Sequence, residues 1–424
     1  LQDEGYLLLE ELGNIPDFSL DFLNFAEVEI WKTGRLRQAF QNFENNATEL
    51  QINNFDHWCI SQAFWLDDFA TFASMKIISG GLIWSEWPAK WRLRESEEIQ
   101  LFREKHALEI SFHKFVQWQF FKQWSSLRKY ANQQGIKIIG DLPIFVAYDS
   151  TEVWANPELF ELDENQQLSA VAGVPPDYFS ETGQHWGNPL YRWNEMRKDG
   201  YSWWKNRLRF SLEQFDIVRI DHFRGFENYW EIPSSAATAA EGKWKEGPGF
   251  AFFEEMKKEL GDLPIIAEDL GLITTDVNVL REKCGFPGMK VLQFAFSDDN
   301  NSYLPHNYKS SNTVVYTGTH DNNTTLGWYR ELGDMERERL RAYLNKDVKE
   351  DSVCYDLIKL AWSSNADIAL APLQDLLNLG GECRMNLPGT AGGKNWVWRC
   401  RTEPMNDLKL HWVFQLTEKY GRNQ

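Results

Sequence analysis

Six short apolar runs, each followed by polar residues, constrain the fold of this chain more than any other feature of its sequence. They are residues 136–139, 216–220, 263–267, 290–296, 313–316 and 368–371. Runs of this length and polarity suit strands that are buried on both faces of a sheet. Residues with helical spacing lie between them, at 202–215, 250–260, 335–345 and 352–363. This alternation predicts an α/β fold with a parallel sheet.

Two of the runs lead directly into acidic residues, Asp221 and Glu268, and the run 313–316 leads into Thr319-His320-Asp321. In a (β/α)8 barrel, the carboxyl ends of the strands form the rim that carries the active site. The pattern therefore favours a TIM barrel with its chemistry at that rim. An open doubly wound sheet is the rival fold, but no Gly-x-Gly-x-x-Gly follows an early strand.

The number of strands falls short of the eight that such a barrel needs. Residues 1–130 have helical patterns instead, at 31–43, 56–75 and 99–130. We therefore predict a (β/α)8 barrel with mostly helical insertions, whose first two strands are missing from this chain. The expected organisation is a mainly helical insertion subdomain at 1–130 and barrel strands three to eight within 131–424. A lid insertion around 150–200 and a smaller insertion around 233–249 complete this prediction.

Charge and composition exclude several classes of partner. A net charge of −18 disfavours nucleic acids and acidic membranes as binding partners, because like charges repel. A neutral substrate is compatible with this charge, since it needs no electrostatic attraction to the protein. No run approaches the roughly 18 apolar residues of a membrane helix. Five widely spaced cysteines without a CxxC motif indicate free thiols in a reducing cytosol rather than a zinc site. We expect a cytoplasmic protein, and the stroma of a plastid remains the alternative.

The acidic residues at the strand ends suit glycoside chemistry with retention of configuration. That reaction needs one ionised carboxyl to attack and one protonated carboxyl to assist the leaving oxygen. Arg219 lies two residues before Asp221, so both side chains point to the same side of a strand and the guanidinium can hold Asp221 ionised. Glu268 follows an apolar run, and a dry setting favours its protonated form. Any one of these acids alone is also consistent with a loop cap or a salt bridge.

The segment 173–189 combines proline, glycine, amides and large aromatic residues. We interpret it as a lid in which Tyr178, Phe179 and Trp186 stack on sugar rings while Gln184 hydrogen-bonds sugar hydroxyls. An ordered surface loop is the alternative interpretation. The 20 tryptophans of the chain are compatible with a saccharide groove, although most aromatic residues fill cores.

Seven segments together resemble the 4-alpha-glucanotransferase family, also called amylomaltase or disproportionating enzyme, within the alpha-amylase clan. They are GDLPIFVAYD at 140–149, PPDYFSETGQHWGNP at 175–189, IVRIDHFRG at 217–225, IIAEDL at 265–270, YTGTHDN at 316–322, RMNLPGT at 384–390 and NWVWR at 395–399. The resemblance covers nearly the whole chain. It implies transfer of alpha-1,4-glucan segments between a donor and an acceptor glucan, with no metal and no organic cofactor.

The resemblance also implies a role for each matching residue. Asp221 matches the nucleophile, Glu268 the general acid/base, and Asp321 with His320 the stabiliser of the transition state. The residues expected to orient the nucleophile or bind substrate are Arg219, Asp141, His222, Asn322, Tyr178, Phe179, Gln184 and Trp186.

One departure from the family pattern affects these expectations. Family members open with two strands that bear Gly-Ile-Gly-Asp, Trp-Gln…Leu-Pro-Leu and Ser-Pro-Tyr stretches, and none of these appears here. The six runs then correspond to the third through eighth barrel strands, so we expect Leu1 to lie inside a longer natural protein. A plain alpha-glucan hydrolase and a catalytically inactive glucan-binding barrel remain the alternative functions.

Overall fold

The computed structural model describes residues 1–13, 15–176, 181–401 and 411–423. The chain divides into two compact units, one formed by Leu1–Asp17 with Ala26–Pro264 and the other by Phe18–Phe25 with Ile265–Gln424. Tyr178 and Phe179 of the predicted lid lie outside the described residues. Within the described ranges, no helix combines the length and the apolar character that crossing a membrane requires.

The first unit begins with a helical region, as its sequence predicted. Its helices are α1 (Phe25–Asn46), α2 (Glu49–Ser61), α3 (Ala63–Ile78), α4 (Ala89–Arg92), α5 (Ser96–Lys105) and α6 (Ala107–Gln133). Two predicted long helices are each interrupted, because Gln62 and His106 have non-helical backbone angles (ψ of 7° and 27°). Aromatic rings spaced at helical intervals on α1 and α6 form the core of this region, and they include Phe40, Phe43, Phe112, Phe115 and Trp118.

The rest of the first unit contains the strands. In chain order its elements are β1 (Ile139–Pro143), α7 (Thr151–Ala155), β2 (Ala170–Val174), β3 (Gln184–Pro189), α8 (Trp193–Lys198), α9 (Ser202–Gln214), β4 (Ile217–Asp221), β5 (Asn228–Pro233), β6 (Lys243–Glu246) and α10 (Gly249–Leu260). Strands β1 and β4 pair in parallel, with Asp141 opposite Arg219 and Pro143 opposite Asp221. This register places the polar ends of the two strands side by side.

The first predicted strand begins three residues late in the structure. Ile136 belongs instead to the end of α6, where its N–H donates to Ala131 O at 2.9 Å and Gly135 has a φ of +75°. This is a Schellman ending, in which glycine takes the left-handed conformation and an apolar residue follows it. The run 136–139 thus combined a helix cap with the first residue of β1.

The prediction of mostly helical insertions is wrong for the insertions around 150–200 and 233–249, since β2 and β3 lie in the first and β6 in the second. Strands β3, β2, β5 and β6 form an antiparallel sheet in that order. The segment 173–189, interpreted as a loop, contains β3 and the end of β2. Gly173 permits this pairing, because a Cβ there would lie 2.1 Å from the carbonyl oxygen of Gln184. Period-two alternation over strands this short is easily missed in a sequence.

The second unit is built on a parallel sheet. Its elements are β7 (Ile265–Ala267), α11 (Thr275–Cys284), β8 (Gly288–Val291), β9 (Thr313–Tyr316), α12 (Thr325–Glu331), α13 (Asp334–Leu344), α14 (Val353–Ser363), β10 (Ile368–Leu370), α15 (Leu373–Leu376) and α16 (His411–Lys419). Strand β9 is central, between β8 and β10. Val315 on β9 packs in a buried core with Leu357 and Ala361 of α14. Parallel pairing in both units confirms the predicted α/β class.

Candidate active site

A single buried arginine holds two strand-end carboxylates in the first unit. Arg219 donates from Nη1 to Asp141 Oδ2 and from Nη2 to Asp221 Oδ1, both at 2.7 Å. The arginine side chain is 10% exposed, whereas those of Asp141 and Asp221 are 46% and 42% exposed. The β1–β4 register explains the bridge, since Asp141 lies opposite Arg219 and Asp221 follows on the same face. The guanidinium stabilises negative charge on carboxylates that remain accessible to a ligand.

His222 follows Asp221 in a left-handed conformation, with a φ of 55° and a ψ of 47°. This turn directs the chain into a short 3-10 helix, Phe223–Phe226. Burial, reinforced by the positive charge of Arg224, lowers the pKa of His222 to about 3. The imidazole is therefore neutral near pH 7, where it can donate one hydrogen bond and accept another.

The described part of the predicted lid places an aromatic side chain next to this histidine. Trp186 on β3 lies edge-on to His222, with 4.8 Å between ring centroids, and it is 36% exposed. Its indole Nε1–H donates to Gln184 Oε1 at 3.2 Å. Gly187, which has a φ of +77°, follows Trp186. Gln184, Trp186 and His222 thus form one partly exposed cluster.

Glu268 lies in the second unit, directly after β7. Its Oε1 accepts a hydrogen bond from the Leu270 N–H at 2.8 Å. The neighbouring Asp269 faces inward, where its Oδ1 accepts the Met289 N–H at 2.6 Å and its Oδ2 lies 3.2 Å from Arg281 Nε. Asp269 therefore ties the end of β7 to β8, which fixes the backbone that carries Glu268.

Asp321 and His320 lie on the segment that joins β9 to α12. His320 Nε2 is 3.4 Å from Asp321 Oδ2. Asn322 serves the segment itself, because its Oδ1 accepts from Thr319 N–H at 2.9 Å and from Thr319 Oγ1 at 2.8 Å. The side-chain oxygen of Asn322 thus stabilises a local turn, in addition to any role in binding substrate.

Three residues that received no individual role from the sequence surround this pair. Asn386 Nδ2 donates to Asp321 Oδ1 at 2.7 Å, and Arg384 Nη2 donates to the Asp321 carbonyl at 2.6 Å. Trp396 covers His320, with 5.2 Å between ring centroids, and is 46% exposed. The only available signal was that these residues belong to motifs 384–390 and 395–399, since they lie more than sixty residues from Asp321.

The structure therefore brings the predicted residues together in two groups. Asp141, Arg219, Asp221, His222, Gln184 and Trp186 belong to the first unit, and Glu268, His320, Asp321 and Asn322 belong to the second. Each group presents carboxylates at the carboxyl ends of strands. Carboxylates, neutral imidazole, amides and exposed indole rings are the side chains that bind and cleave uncharged sugars.

Comparisons with known proteins agree with this chemistry. A family model described as 4-alpha-glucanotransferase matches residues 1–405. A 4-alpha-glucanotransferase of Thermus thermophilus is 46% identical over 428 residues, which cover 99% of this chain and 85% of that protein. A chloroplastic/amyloplastic 4-alpha-glucanotransferase of Arabidopsis thaliana is 42% identical over 401 residues, covering 94% of this chain and 69% of that protein.

A solved structure is also similar throughout the chain. Amylomaltase from Streptococcus agalactiae, determined in complex with acarbose, superposes with a TM-score of 0.94 at 36% sequence identity. The match covers 99% of this chain and 84% of that structure.

Proposed function

The chain belongs to the 4-alpha-glucanotransferase family, and from that premise we propose that it transfers alpha-1,4-glucan segments by double displacement, with Asp221 as the nucleophile. The observation that carries this proposal is the Arg219 bridge, which places a guanidinium 2.7 Å from Asp221 and leaves that carboxylate accessible at a strand end. We further propose that the donor and the acceptor are maltooligosaccharides or amylose, and that the fold is a (β/α)8 barrel of the alpha-amylase type.

In the first step, an Asp221 oxygen attacks the anomeric carbon of the donor. The bond from that carbon to the bridging oxygen breaks, and the carboxyl of Glu268 donates its proton to the departing glucan. In the second step, the Glu268 carboxylate removes the proton from the 4-hydroxyl of the acceptor, which attacks the same carbon. The Asp221 carboxylate is released, and two inversions leave the α configuration unchanged.

Asp321 and His320 act in this scheme by gripping hydroxyls of the sugar that undergoes substitution. Asn386 holds one oxygen of Asp321, and His320 lies near the other. An oriented carboxylate accepts hydrogen bonds from sugar hydroxyls, and bonds that strengthen in the transition state raise kcat. Asp141 shares Arg219 with the nucleophile, so its charge and the charge of Asp221 are balanced by the same cation.

The cluster around Trp186 is proposed to bind sugar rings beside the nucleophile. Its partly exposed indole offers a flat apolar face, and Gln184 and neutral His222 offer polar groups for hydroxyls. Tyr178 and Phe179, from the same segment, are proposed to extend this surface. By excluding water and positioning the acceptor hydroxyl, such a surface favours transfer over hydrolysis.

This reaction needs no membrane, and we propose that the protein works in the cytoplasm, with the plastid stroma as the alternative. One relative is from the bacterium Thermus thermophilus, and another is named chloroplastic/amyloplastic. Fractionation of cells that express the natural protein, followed by immunodetection, distinguishes the two compartments.

Incubation with maltotriose tests the proposed reaction. Transfer produces glucose together with a ladder of longer oligosaccharides, whereas hydrolysis produces glucose and maltose alone. Release of no product would indicate a glucan-binding protein without catalysis. We expect Asp221→Asn to lower turnover by at least about 10⁴-fold with the fold intact, because the amide is a poor nucleophile. Unchanged turnover in this variant would overturn the assignment.

A further inference from the structure

The segment that carries His320 and Asp321 is closed at its base by a third carboxylate. It runs from Thr317, the first residue after β9, to Thr325, the first residue of α12. Both threonines are completely buried, whereas Asp321 between them is partly exposed. The segment is thus anchored at its two ends and accessible at its middle.

Asp375 on α15 binds both ends of this segment. Its Oδ2 accepts from Thr317 Oγ1 at 2.6 Å and from Thr325 Oγ1 at 2.7 Å, and its Oδ1 accepts the Thr325 N–H at 2.8 Å. The aspartate is 2% exposed, so these bonds form away from competing water. One carboxylate therefore fixes the distance between the residue that follows β9 and the residue that begins α12.

The residue before Asp375 supports the other side of the same segment. Gln374 Nε2 donates to the Cys383 carbonyl at 3.1 Å, at the end of the short 3-10 helix Gly381–Cys383. Arg384 and Asn386 follow that helix directly and donate to Asp321. Gln374 and Asp375, adjacent in sequence, thus hold the two segments that meet at Asp321.

We propose that Asp375 is a positioning residue for catalysis, which sets the place of Asp321 at the sugar through the Thr317 and Thr325 hydroxyls. This inference rests on the proposed role of Asp321 in glucan transfer. A buried carboxylate is expensive to desolvate, and burial raises the pKa of Asp375 against the effect of its three donors. An apolar side chain would fill this space equally well if Asp375 served packing alone. Only a group with several acceptor sites, such as a carboxylate, can bind the Thr317 hydroxyl, the Thr325 hydroxyl and the Thr325 N–H together.

A matched control lies in the same unit. Asp356 on α14 is also buried, at 4% exposure, and it accepts from Lys346 Nζ at 2.8 Å and from Ser352 Oγ at 3.0 Å. Neither of these partners belongs to the Asp321 segment. Asp356→Ala therefore removes a buried, hydrogen-bonded carboxylate without releasing the Asp321 segment.

The first test measures kcat and KM for maltotriose transfer well below the unfolding midpoint of every variant. We expect Asp375→Ala to lower kcat by about 100-fold with little change in KM, since a displacement on the order of 1 Å in a site can cost that much. Asp356→Ala is expected to keep the wild-type kcat. Thr317→Val is expected to lower kcat, and Thr317→Ser, which keeps the hydroxyl, to restore it. Equal kcat for Asp375→Ala and Asp356→Ala, or for the two Thr317 variants, would overturn the proposal.

The second test asks whether Asp375 acts through Asp321. Calorimetry gives the Kd of acarbose for the wild type, Asp375→Ala, Asp321→Ala and the double variant. We expect Asp375→Ala to weaken binding roughly tenfold when Asp321 is present and to have almost no effect when Asp321 is replaced, because changes that act through one backbone segment are not additive. The same factor in both backgrounds would contradict positioning through Asp321.

The proposed function and this inference fail in different ways. If Asp321→Asn retains full maltotriose turnover, the role of Asp321 is wrong and Asp375 has nothing to position. If Asp321→Asn abolishes turnover while Asp375→Ala retains it, the proposed function stands and only the positioning role is wrong.

Discussion

Asp221 in the first unit and Asp321 in the second both follow a strand, yet they are held by different chemistry. Asp221 is paired with a cation two residues away, Arg219. Asp321 is held by an amide, Asn386, and by the Arg384 contact to its backbone carbonyl, and both residues lie far along the chain. A nucleophile needs its charge sustained, whereas a group that grips hydroxyls needs its orientation fixed. The comparison therefore predicts that variants at the two sites fail for different reasons.

The largest effect is expected from Arg219→Lys. A lysine carries the charge but has only one nitrogen, so it cannot donate to Asp141 and Asp221 from two separate nitrogens as Arg219 does. We expect kcat/KM for maltotriose to fall on the order of 100-fold, because the nucleophile loses its orientation. Arg209→Lys, at an exposed pair with Glu259, is the control and should leave kcat/KM unchanged. Equal rates for both variants would show that charge alone suffices at Asp221.

A smaller effect is expected from Asn386→Ala. The change removes the donor to Asp321 Oδ1 but leaves the carboxylate itself in place. We expect kcat to fall roughly tenfold, equivalent to the loss of one hydrogen bond to a charged group. Asn312→Ala deletes an amide that binds the Gly285 carbonyl away from the site, and it should have the wild-type kcat. A loss as large as that of Arg219→Lys would remove the proposed difference between the two carboxylates.

The third expected effect concerns stability in acid rather than catalysis, and it arises in the first unit. Folding lowers the pKa of His222 from an ordinary 6.5 to about 3, so the unfolded chain takes up the proton first. The contribution of this residue is thus complete above about pH 6.5 and is lost as pH falls toward 3. Between pH 7 and pH 4, we expect the unfolding midpoint of His222→Gln to drop less than that of the wild type.

His57→Gln provides the matched comparison for this measurement. His57 is an exposed residue of α2, and its replacement should leave the acid sensitivity of the wild type. Identical drops for the wild type and both histidine variants would show that His222 does not titrate as its burial implies.

The contacts of Asp221 and Asp321 also differ in how far the sequence predicts them. The contact between Arg219 and Asp221 follows from alternation along one strand, so it was predicted correctly. Asn386, Trp396 and Asp375 reach the Asp321 segment through tertiary packing, which local periodicity does not encode. The apolar runs predicted β4, β7, β9 and β10 correctly, because a buried strand is continuously apolar. The predicted boundaries of these four strands differ from the observed ones by up to two residues.

The antiparallel sheet was missed for a related reason. Strands β3, β5 and β6 have only four to six residues, most of them exposed or partly exposed, so no apolar run marks them, and the buried apolar run of β2 (Ala170–Val174) is interrupted by Gly173. The pairing of β2 with β3 depends on Gly173 and on Gly183, whose Cβ would lie 2.4 Å from the Val174 carbonyl oxygen. In the sequence both glycines favour a loop, whereas in the structure they allow backbones to approach closely.

Trapping the covalent intermediate tests the central claim most directly. A fluorinated α-glucosyl fluoride slows the second displacement, so the glycosyl-enzyme accumulates and can be weighed intact and mapped by peptide mass spectrometry. We expect one glycosyl group per chain, on the peptide that contains Asp221, and none on Asp221→Asn. A glycosyl group on Glu268 or Asp321, or an active enzyme that forms no adduct, would contradict the assignment of Asp221 as the nucleophile.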